Sequence, residues 1–367
     1  MSTLENKQAD VVAIVAPAAA PNFRGKELEL NGWLKSIGVK AIFDVSFGAE
    51  LTTKSYINHI TKNDPKLVIA QPCPALVSYV ELYQPDLIPY LSPADSPMAH
   101  TAIMIKEFYP EYKDAKIAVI SPCYAKRREF DENGQGDFNV TMASITRYFE
   151  KKNISLDSYP QTEYTNPPAE RAVLYSTPGG LLRTAERFNP KVKNFTRKIE
   201  GQPLMKEYFH ELSDSIKENK KLPYKLIDCL NCEKGCNGGA GTVNLDLPLD
   251  DLENYVEQRM YKQREIWQKK TFSRKHCMKK INKTIDKFWK KDIYTRTYVN
   301  RDALANGWLK MPSEVELNSI FGEMGKRELK DFLDCGACGY DTCKDMAIAI
   351  FNGKNKKENC HHFLLNQ

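Results

Sequence analysis

Four closely spaced cysteines near the C-terminus constrain this chain of 367 residues more than any other feature. Four thiolates in two close pairs are the ligands that an iron–sulfur cluster or a structural zinc ion requires. Gly336 and Gly339, among the first three of them, allow the backbone to wrap around a metal. The segment KDMAIAIFNGK is predicted to form a helix that returns the last cysteine to the first three. The pattern is C-x2-C-G-x3-C-x16-C, at Cys335, Cys338, Cys343 and Cys360.

The segment CGACGYDTCKDMAIAIFNGKNKKENC resembles the small 4Fe–4S module of several anaerobic redox proteins. The resemblance favours a 4Fe–4S cluster, with zinc as the alternative. The N-terminus, MSTLENKQAD, lacks the basic and apolar layout of a signal peptide, which predicts a cytoplasmic protein. In that reducing compartment we expect the ten cysteines to serve metal or redox chemistry rather than disulfides. No apolar run is long enough to predict a membrane span.

Apolar runs rich in β-branched residues alternate with amphipathic stretches through the first half of the chain. This alternation predicts an α/β fold in which two lobes of mainly parallel sheet are flanked by helices. The resemblance of the terminal cysteine segment implies that a small helical 4Fe–4S domain follows them. The predicted strands are Asp10–Val15, Lys40–Val45, Leu67–Ala70, Lys116–Ile120, Asn139–Ile145 and Arg171–Tyr175. The predicted helices are Lys26–Ile37, Thr52–Thr61, Pro97–Phe108 and Leu181–Arg187.

The charge of the chain is concentrated in one segment. Arg259 to Arg301 holds 15 Lys and Arg against three acids, whereas the whole chain has a net charge of +6. We interpret the segment as a basic helical connector whose aromatic residues pack on the body, with docking of an acidic protein as the alternative. Nucleic-acid binding is disfavoured because no recognition motif accompanies the charge. The predicted domains are 1–250 for the two lobes, 251–311 for the connector and 312–367 for the cluster domain.

A second set of cysteines is dispersed along the chain, at Cys73, Cys123, Cys232 and Cys236. Separations of 49 and 108 residues exclude a local metal finger, so only the fold could bring these thiols together. The first two follow predicted strands, at the strand ends where α/β proteins bind ligands. A proline precedes each of them and fixes an extended approach to the thiol.

The residues around these cysteines, QPCP, SPCYAKRRE and LNCEKGCNGG, resemble three signatures of the catalytic domain of FeFe hydrogenases, over residues 10–260. The resemblance implies an H-cluster between the lobes, in which a 4Fe–4S cubane is bridged to a two-iron centre bearing CO, cyanide and azadithiolate. It implies cubane ligation by the four dispersed cysteines, with Cys236 as the bridging thiolate. Lys126 would donate to a cyanide nitrogen. Further cofactor contacts are implied at Ala16, Pro17, Pro122, Gly179 and Gly235.

The proton route of fast FeFe hydrogenases is only partly present. Its first cysteine is Pro72 here, its two glutamates fall on Tyr56 and His59, and its serine is kept as Ser92. Losing such groups slows proton transfer by ~10²–10⁴-fold, so we expect slow turnover unless Tyr56, His59 or water substitutes. Cys229 is an extra cysteine that could carry protons, tune the cluster by hydrogen bonding or simply be buried. Cys277 has no partner spacing, and we assign it no function.

These departures, together with the terminal cysteine module, resemble the sensory class of FeFe hydrogenases. The resemblance predicts slow interconversion of H2 with 2H+ + 2e− for hydrogen sensing. Expected partners are H2 and protons, a redox or signalling protein, hydrogenase maturation proteins and a second copy in a homodimer. An ordinary hydrogenase with a rerouted proton path is one alternative. A non-enzymatic electron-transfer or scaffold protein that holds only the cubane is the other.

Overall fold

The computed structural model describes residues 9–269, 273–305 and 310–365. Its strands form two sheets, of order β2-β1-β4-β5 and β3-β7-β6. Within each sheet, all neighbouring strands are parallel. This arrangement confirms the predicted α/β fold with two lobes of parallel sheet. The strands are β1 (Val11–Val15), β2 (Ile42–Asp44), β3 (Val68–Ile69), β4 (Lys116–Ser121), β5 (Phe138–Thr141), β6 (Thr196–Glu200) and β7 (Leu226–Leu230).

Helices cover both sheets and form most of the C-terminal third. The helices over the lobes are α1 (Ala19–Asn22), α2 (Glu27–Ser36), α3 (Val45–Asn63), α4 (Pro74–Tyr83), α5 (Pro97–Phe108), α6 (Lys126–Asn133), α7 (Met142–Lys152), α8 (Gly180–Phe188) and α9 (Gln202–Lys217). The later helices are α10 (Leu249–Gln268), α11 (Arg274–Lys287), α12 (Asp302–Ala305), α13 (Glu314–Glu323), α14 (Cys343–Phe351) and α15 (His361–Leu365). No helix of the described ranges is long and apolar enough to cross a membrane.

Most of the predicted elements are present, and local capping explains their bounds. Helix α5 begins at Pro97 because Pro suits a first helical position and the Ser96 hydroxyl accepts a hydrogen bond from the Ala99 amide. Helix α3 begins earlier than the predicted Thr52, because the Asp44 carboxylate accepts from the Ser46 amide and starts the helix directly after β2.

Two strand predictions were wrong in whole or part. The segment 139–145 leaves the strand conformation at Met142, because the Thr141 side chain accepts from the Ser144 amide and caps α7. The apolar segment 171–175 is not a strand but lies largely in a 3-10 helix, Ala172–Ser176, whose five residues are all buried. Strands β6 and β7 were not predicted, since the first reads TRKIE and the second contains Asp228.

The basic segment packs on the lobes along its whole described length. Five of its side chains join the hydrophobic core of the first lobe, at Trp267, Cys277, Ile281, Ile285 and Tyr294. Arg259 is buried and lies 2.7 Å from the Asp44 carboxylate, and Arg301 lies 2.5 Å from Glu81. Apolar burial combined with ion pairs to the body is the arrangement expected of a connector. The C-terminal region then supplies the helix α13 and a 3-10 turn, Leu329–Asp331, where one helical module was predicted over 313–332.

Candidate metal centres

Four loops at the carboxyl ends of parallel strands meet at a cavity of about 70 Å³ between the two lobes. The loops follow β1 and β4 of one sheet and β3 and β7 of the other. Parallel α/β sheets bind ligands at this end of their strands because the helix N-termini and loops converge there. The cavity lining includes all four dispersed cysteines, at Cys73, Cys123, Cys232 and Cys236.

The four thiols are partly buried and influence one another electrostatically. Burial, followed by the neighbouring Cys73 and Cys236, raises the pKa of Cys123 to about 12. Burial and then Cys73 raise the pKa of Cys236 to about 12, while the Lys126 charge opposes both increases. When a metal binds, thiols with such high pKa values lose their protons and bind the metal as thiolates. Such high pKa values disfavour a free reactive thiolate at this site.

The chemistry of the donor set fits an iron–sulfur cluster. In the ranges that the structure describes, no three Cys, His, Asp or Glu side chains converge closely enough to hold one metal ion. A zinc ion needs its four thiolates about 2.3 Å from one point. Beside Cys236, the amide of Asn237 is fully buried, and neither its oxygen nor its nitrogen has a hydrogen-bond partner among the described residues. Four thiols around a cavity with an unpaired amide nearby suit a sulfide-containing cubane.

Lys126 is the charged side chain of the cavity, and it is held by polar groups on one side. Its ammonium donates to the Pro72 carbonyl at 3.0 Å and to the Glu129 carboxylate at 2.5 Å. The Arg296 guanidinium of the connector lies 3.5 Å from the other oxygen of Glu129. Ala16, Pro17 and Pro122 share the cavity lining with Lys126, so much of the space beside this side chain is apolar.

The predicted proton-transfer residues lie behind the cavity, and none of them is part of its described lining. Tyr56 is fully buried and its hydroxyl accepts from the Gln71 amide at 3.3 Å, while burial raises its pKa strongly. The Ser92 hydroxyl is buried and accepts from the Ala94 amide at 3.4 Å. His59 lies one turn along α3, partly exposed, and contacts Asn63. Burial lowers the pKa of His59.

Cys229 is completely buried in β7 and its thiol donates to the Ala70 carbonyl at 3.6 Å. It packs in the hydrophobic core of the second lobe and is not among the residues described as lining the cavity. Tyr56 bonds the same stretch of backbone through Gln71. The structure thus brings Cys229 and Tyr56 near each other but leaves both outside the cavity.

Some lining residues were predicted and others were missed. Gly235 lines the cavity, whereas Gly179 does not, because its amide is directed to the Glu200 carboxylate at 2.8 Å. The sequence interpretation missed several lining residues that come from helix starts and a 3-10 turn, among them Val45, Pro74, Pro97, Met98, Tyr175 and Ser176. Only Pro97 carried a local signal, as the start of a helix.

The terminal cysteines form a second site, built around the start of α14. Cys343 is the first residue of that helix, and a capping box between Thr342 and Asp345 fixes the helix start. Gly336 and Gly339 have φ values of +67° and +86°, which the tight loop between the first cysteines requires. Burial, together with smaller effects of Cys123, Cys360 and Cys343, raises the pKa of Cys335 to about 12.

The two cysteine sites are neighbours across a layer of small side chains. Cys335 and Ala337 pack in one hydrophobic cluster with Ala75, Tyr124 and Ala125, which also includes Cys73 and Cys123. A Cβ at Gly336 would lie 3.1 Å from the Ala75 Cβ, so the glycine permits the close approach. Lys206 anchors the module from the second lobe, 2.8 Å from the Asp341 carboxylate.

Comparisons with known proteins identify the family. Residues 9–240 match the family model described as iron only hydrogenase large subunit, C-terminal domain. Residues 333–362 match a second model, named FeS, for an iron–sulfur cluster motif. Because the first match covers more than half of the chain, this chain belongs to the iron-only hydrogenase family defined by that domain. Its sites are accordingly those of an iron–sulfur protein.

Relatives within the family have different names. The chain is 25% identical over 301 residues to the nuclear prelamin A recognition factor of Mus musculus, covering 66% of this chain and 65% of that protein. It is 23% identical over 284 residues to iron hydrogenase 1 of Clostridium pasteurianum, covering 63% and 49%. It is 23% identical over 274 residues to the cytosolic iron-sulfur assembly component 3 of Rattus norvegicus, covering 59% and 56%. The chain therefore spans less than two thirds of the length of these relatives.

Solved structures share the fold. A variant of the FeFe-hydrogenase HydA1 from Chlamydomonas reinhardtii superposes with a TM-score of 0.61 at 19% identity, covering 81% of this chain and 96% of that one. The likeness establishes the architecture of the two lobes. Because the relatives include both a hydrogenase and an iron–sulfur assembly component, family membership by itself does not establish hydrogenase turnover.

Proposed function

We propose that the cavity between the lobes holds an H-cluster and that the chain interconverts H2 with protons and electrons slowly, as a hydrogen sensor. The observation that carries the proposal is the shared lining of the cavity by four cysteines and the buried Lys126. The thiols suit a cubane, and an ammonium in an apolar space suits a cyanide nitrogen. When bound, the two-iron centre supplies an open iron site and a base for splitting H2.

The chain's own residues would hold this group and keep water from it. Cys73, Cys123 and Cys232 would hold the cubane, and Cys236 would bridge to the two-iron centre. Lys126 would orient that centre, because the Pro72 carbonyl and Glu129 fix its ammonium in place. Ala16 and Pro17 present only apolar atoms and backbone on the same side.

Slow turnover follows from the proton side of the cavity. Pro72 lines the cavity where a proton-carrying cysteine would lie, and it has neither a titratable side chain nor an amide proton. Tyr56 and Ser92 lie behind it in the protein interior. A site that exchanges protons slowly suits detection better than bulk turnover, and electrons would leave through the neighbouring site at Cys335.

We extend the proposal to the domain division at residues 250 and 311, and to a cytoplasmic protein loaded by hydrogenase maturation proteins.

A second candidate is an iron–sulfur scaffold or assembly protein that holds only cubane clusters. The observation that favours it is the similarity to the rat protein named as an iron-sulfur assembly component. Such a protein would use the same four cysteines and would work with assembly partners rather than with H2. In such a protein Lys126 would have no cyanide to bind. Its ammonium would then contact only the Glu129 carboxylate and the Pro72 carbonyl.

Infrared spectroscopy separates the two candidates. The full chain is reconstituted with iron and sulfide, treated with the synthetic two-iron cofactor and freed of excess cofactor. The H-cluster proposal expects CO and cyanide bands that disappear in Cys236→Ala, and H2 oxidation that remains slow. Absence of these bands from protein with complete cubanes would overturn it in favour of the scaffold. Bands accompanied by fast H2 oxidation would instead overturn the sensory role and favour a rerouted proton path.

A further inference from the structure

A second buried lysine lies in the terminal cysteine module. Lys326 follows helix α13, and its side chain turns into the module, leaving the residue 4% exposed. Lys126 and Lys326 are the two lysines that the described part of the chain buries. Lysine is rarely buried without an anionic partner, because removing an ammonium from water is strongly unfavourable. Each buried lysine is next to one of the two cysteine sites: Lys126 lines the cavity, and Lys326 lies in the terminal module.

The Lys326 ammonium is held by neutral groups. It donates to the backbone carbonyl of Asp331 at 2.6 Å and lies 3.3 Å from Nδ1 of His362. The Asp331 carboxylate is engaged elsewhere, accepting from the amides of Arg327 and Glu328. Throughout the described ranges no carboxylate lies within ion-pairing distance of Lys326, whereas Lys126 has Glu129 at 2.5 Å. The anion that would compensate this charge is therefore not a carboxylate of the described chain.

Lys326 lies among the segments that carry the terminal cysteines. Met324, two residues before Lys326, packs in one hydrophobic cluster with Cys338 and Cys360. His362 follows Cys360 by two residues, and its ring meets the Tyr124 ring edge-on, with centroids 5.6 Å apart. Tyr124 in turn follows Cys123 in the chain. Lys326 thus contacts the segment that carries Cys360, on the side linked through His362 to the cavity loops.

We propose that the Lys326 ammonium is the counter-charge of the terminal iron–sulfur cluster and raises its reduction potential. The proposal rests on the terminal 4Fe–4S centre of the proposed function, and not on the two-iron centre. A cluster with four thiolate ligands is anionic and gains a further negative charge on reduction. A fixed cation in a low-dielectric surrounding stabilises the reduced form more than the oxidised form. The terminal cluster would thereby accept electrons from its neighbour more readily.

The test compares two lysine substitutions in the full reconstituted chain. Lys326→Met removes the charge and keeps a long unbranched side chain. Lys344→Met is the matched control, because Lys344 follows the ligand Cys343 directly but is exposed to water. The terminal signal is identified as the reduced-cluster signal that Cys338→Ala abolishes, and its midpoint potential is measured by potentiometric titration followed by electron paramagnetic resonance. Lys326→Met is expected to shift the potential to more negative values, and Lys344→Met to shift it much less.

Each outcome decides the proposal. A potential that is unchanged in Lys326→Met, or that shifts no more than in Lys344→Met, would overturn it while leaving the cluster assignment intact. A loss of iron and of stability in Lys326→Met without a change of potential in the loaded fraction would assign Lys326 a purely structural role. Wild-type protein with only one cluster signal would overturn the terminal cluster itself. A variant that retains the charge, Lys326→Arg, is expected to keep the wild-type potential.

Discussion

Glu129 lies between two cations that come from distant parts of the chain, with Lys126 at 2.5 Å on one side and Arg296 at 3.5 Å on the other. All three side chains are buried. The two positive charges lower the pKa of Glu129 against the effect of its burial, so the carboxylate stays ionised. The Glu129 carboxylate therefore fixes the Lys126 ammonium beside the cavity. The carboxylate is itself held by Lys126 from the first lobe and by Arg296 from the connector.

Lys126→Met is expected to prevent loading of the two-iron centre while the cubane ligands remain. Breaking one side of a buried ion pair costs about 3–5 kcal/mol, so a lower free energy of unfolding is expected as well. The measurements are the infrared bands of the loaded centre, iron content and chemical denaturation. Retention of wild-type bands would contradict the role of Lys126.

The double variant Lys126→Met with Glu129→Gln separates stability from loading. It removes the uncompensated carboxylate together with the lysine, so most of the lost stability should return. Loading of the two-iron centre should stay absent, since no donor faces the cavity. If the double variant regained the infrared bands, the single variant would have failed only because of misfolding.

Gly241→Ala is expected to disturb the loop that carries Cys123. A Cβ at Gly241 would lie 2.9 Å from both the Cys123 nitrogen and the Pro122 oxygen. Forced overpacking of this kind costs about 1–3 kcal/mol and moves backbone. We expect reduced iron content at the cavity site and a lower free energy of unfolding.

The matched control for this substitution is Gly322→Ala in helix α13. No atom lies within 4 Å of a Cβ at Gly322, and its position in a helix favours alanine by about 0.5–1 kcal/mol. Its iron content should equal that of the wild type. Equal iron content in the Gly241→Ala protein would show that the cysteine loop tolerates the displacement.

Asp228 makes stability depend on pH. Burial raises its pKa to about 7 from its ordinary value of 3.8, with a smaller increase from the Glu200 charge. Between about pH 4 and pH 7 the folded state therefore binds the proton that the unfolded state has lost. Its contribution to stability is present below pH 4 and is lost as pH rises through 7, by up to about 1.4 kcal/mol per pH unit.

Asp228→Asn removes this dependence and keeps an oxygen that can accept from the Leu182 amide. Relative to wild type, the variant should gain stability between pH 5 and pH 8, as measured by chemical denaturation at both values. Asp214→Asn, at an exposed position, should show no such change. A difference from wild type that is the same at both pH values would contradict the assignment to Asp228.

Cys229→Ala is expected to leave both clusters intact. The thiol is in a hydrophobic core, and its bond to Ala70 lies outside the cavity lining. This position favours simple burial over proton transfer or tuning of the cluster by hydrogen bonding. Cys277→Ala removes another buried thiol, on α11, and both variants should lose about 1 kcal/mol of stability. A drop in H2 oxidation confined to Cys229→Ala would restore its role as a proton carrier.

The sequence predicts the fold well wherever buried parallel strands consist of apolar residues. Strands β1 and β4 are of this type, because helices cover both faces of the sheet. Strand β6 was missed because it lies at the edge of its sheet with Arg197 and Lys198 exposed. Strand β7 is central but includes Asp228, whose burial depends on a hydrogen bond from a helix start 46 residues away.

The site is predicted unevenly for a related reason. The cysteines carry recognisable spacing, so both sets could be named before their positions in space were known. The docking of Ala337 against Ala75 carries no such pattern, because small residues occur everywhere and only tertiary structure pairs them. The contact of Arg296 with Glu129 likewise has no sequence pattern that predicts it. It joins the basic segment to the carboxylate that holds Lys126 beside the cavity.

The packing of the connector on the first lobe has a consequence for the order of folding during synthesis. The last strand of that lobe, β5, ends at Thr141, yet Trp267, Ile281 and Ile285 complete its core. The lobe cannot close on the ribosome until these later residues have emerged, and contacts of such long sequence separation form slowly. During that interval the nascent lobe exposes apolar surface, so chaperone dependence should be relieved only when α11 has been translated.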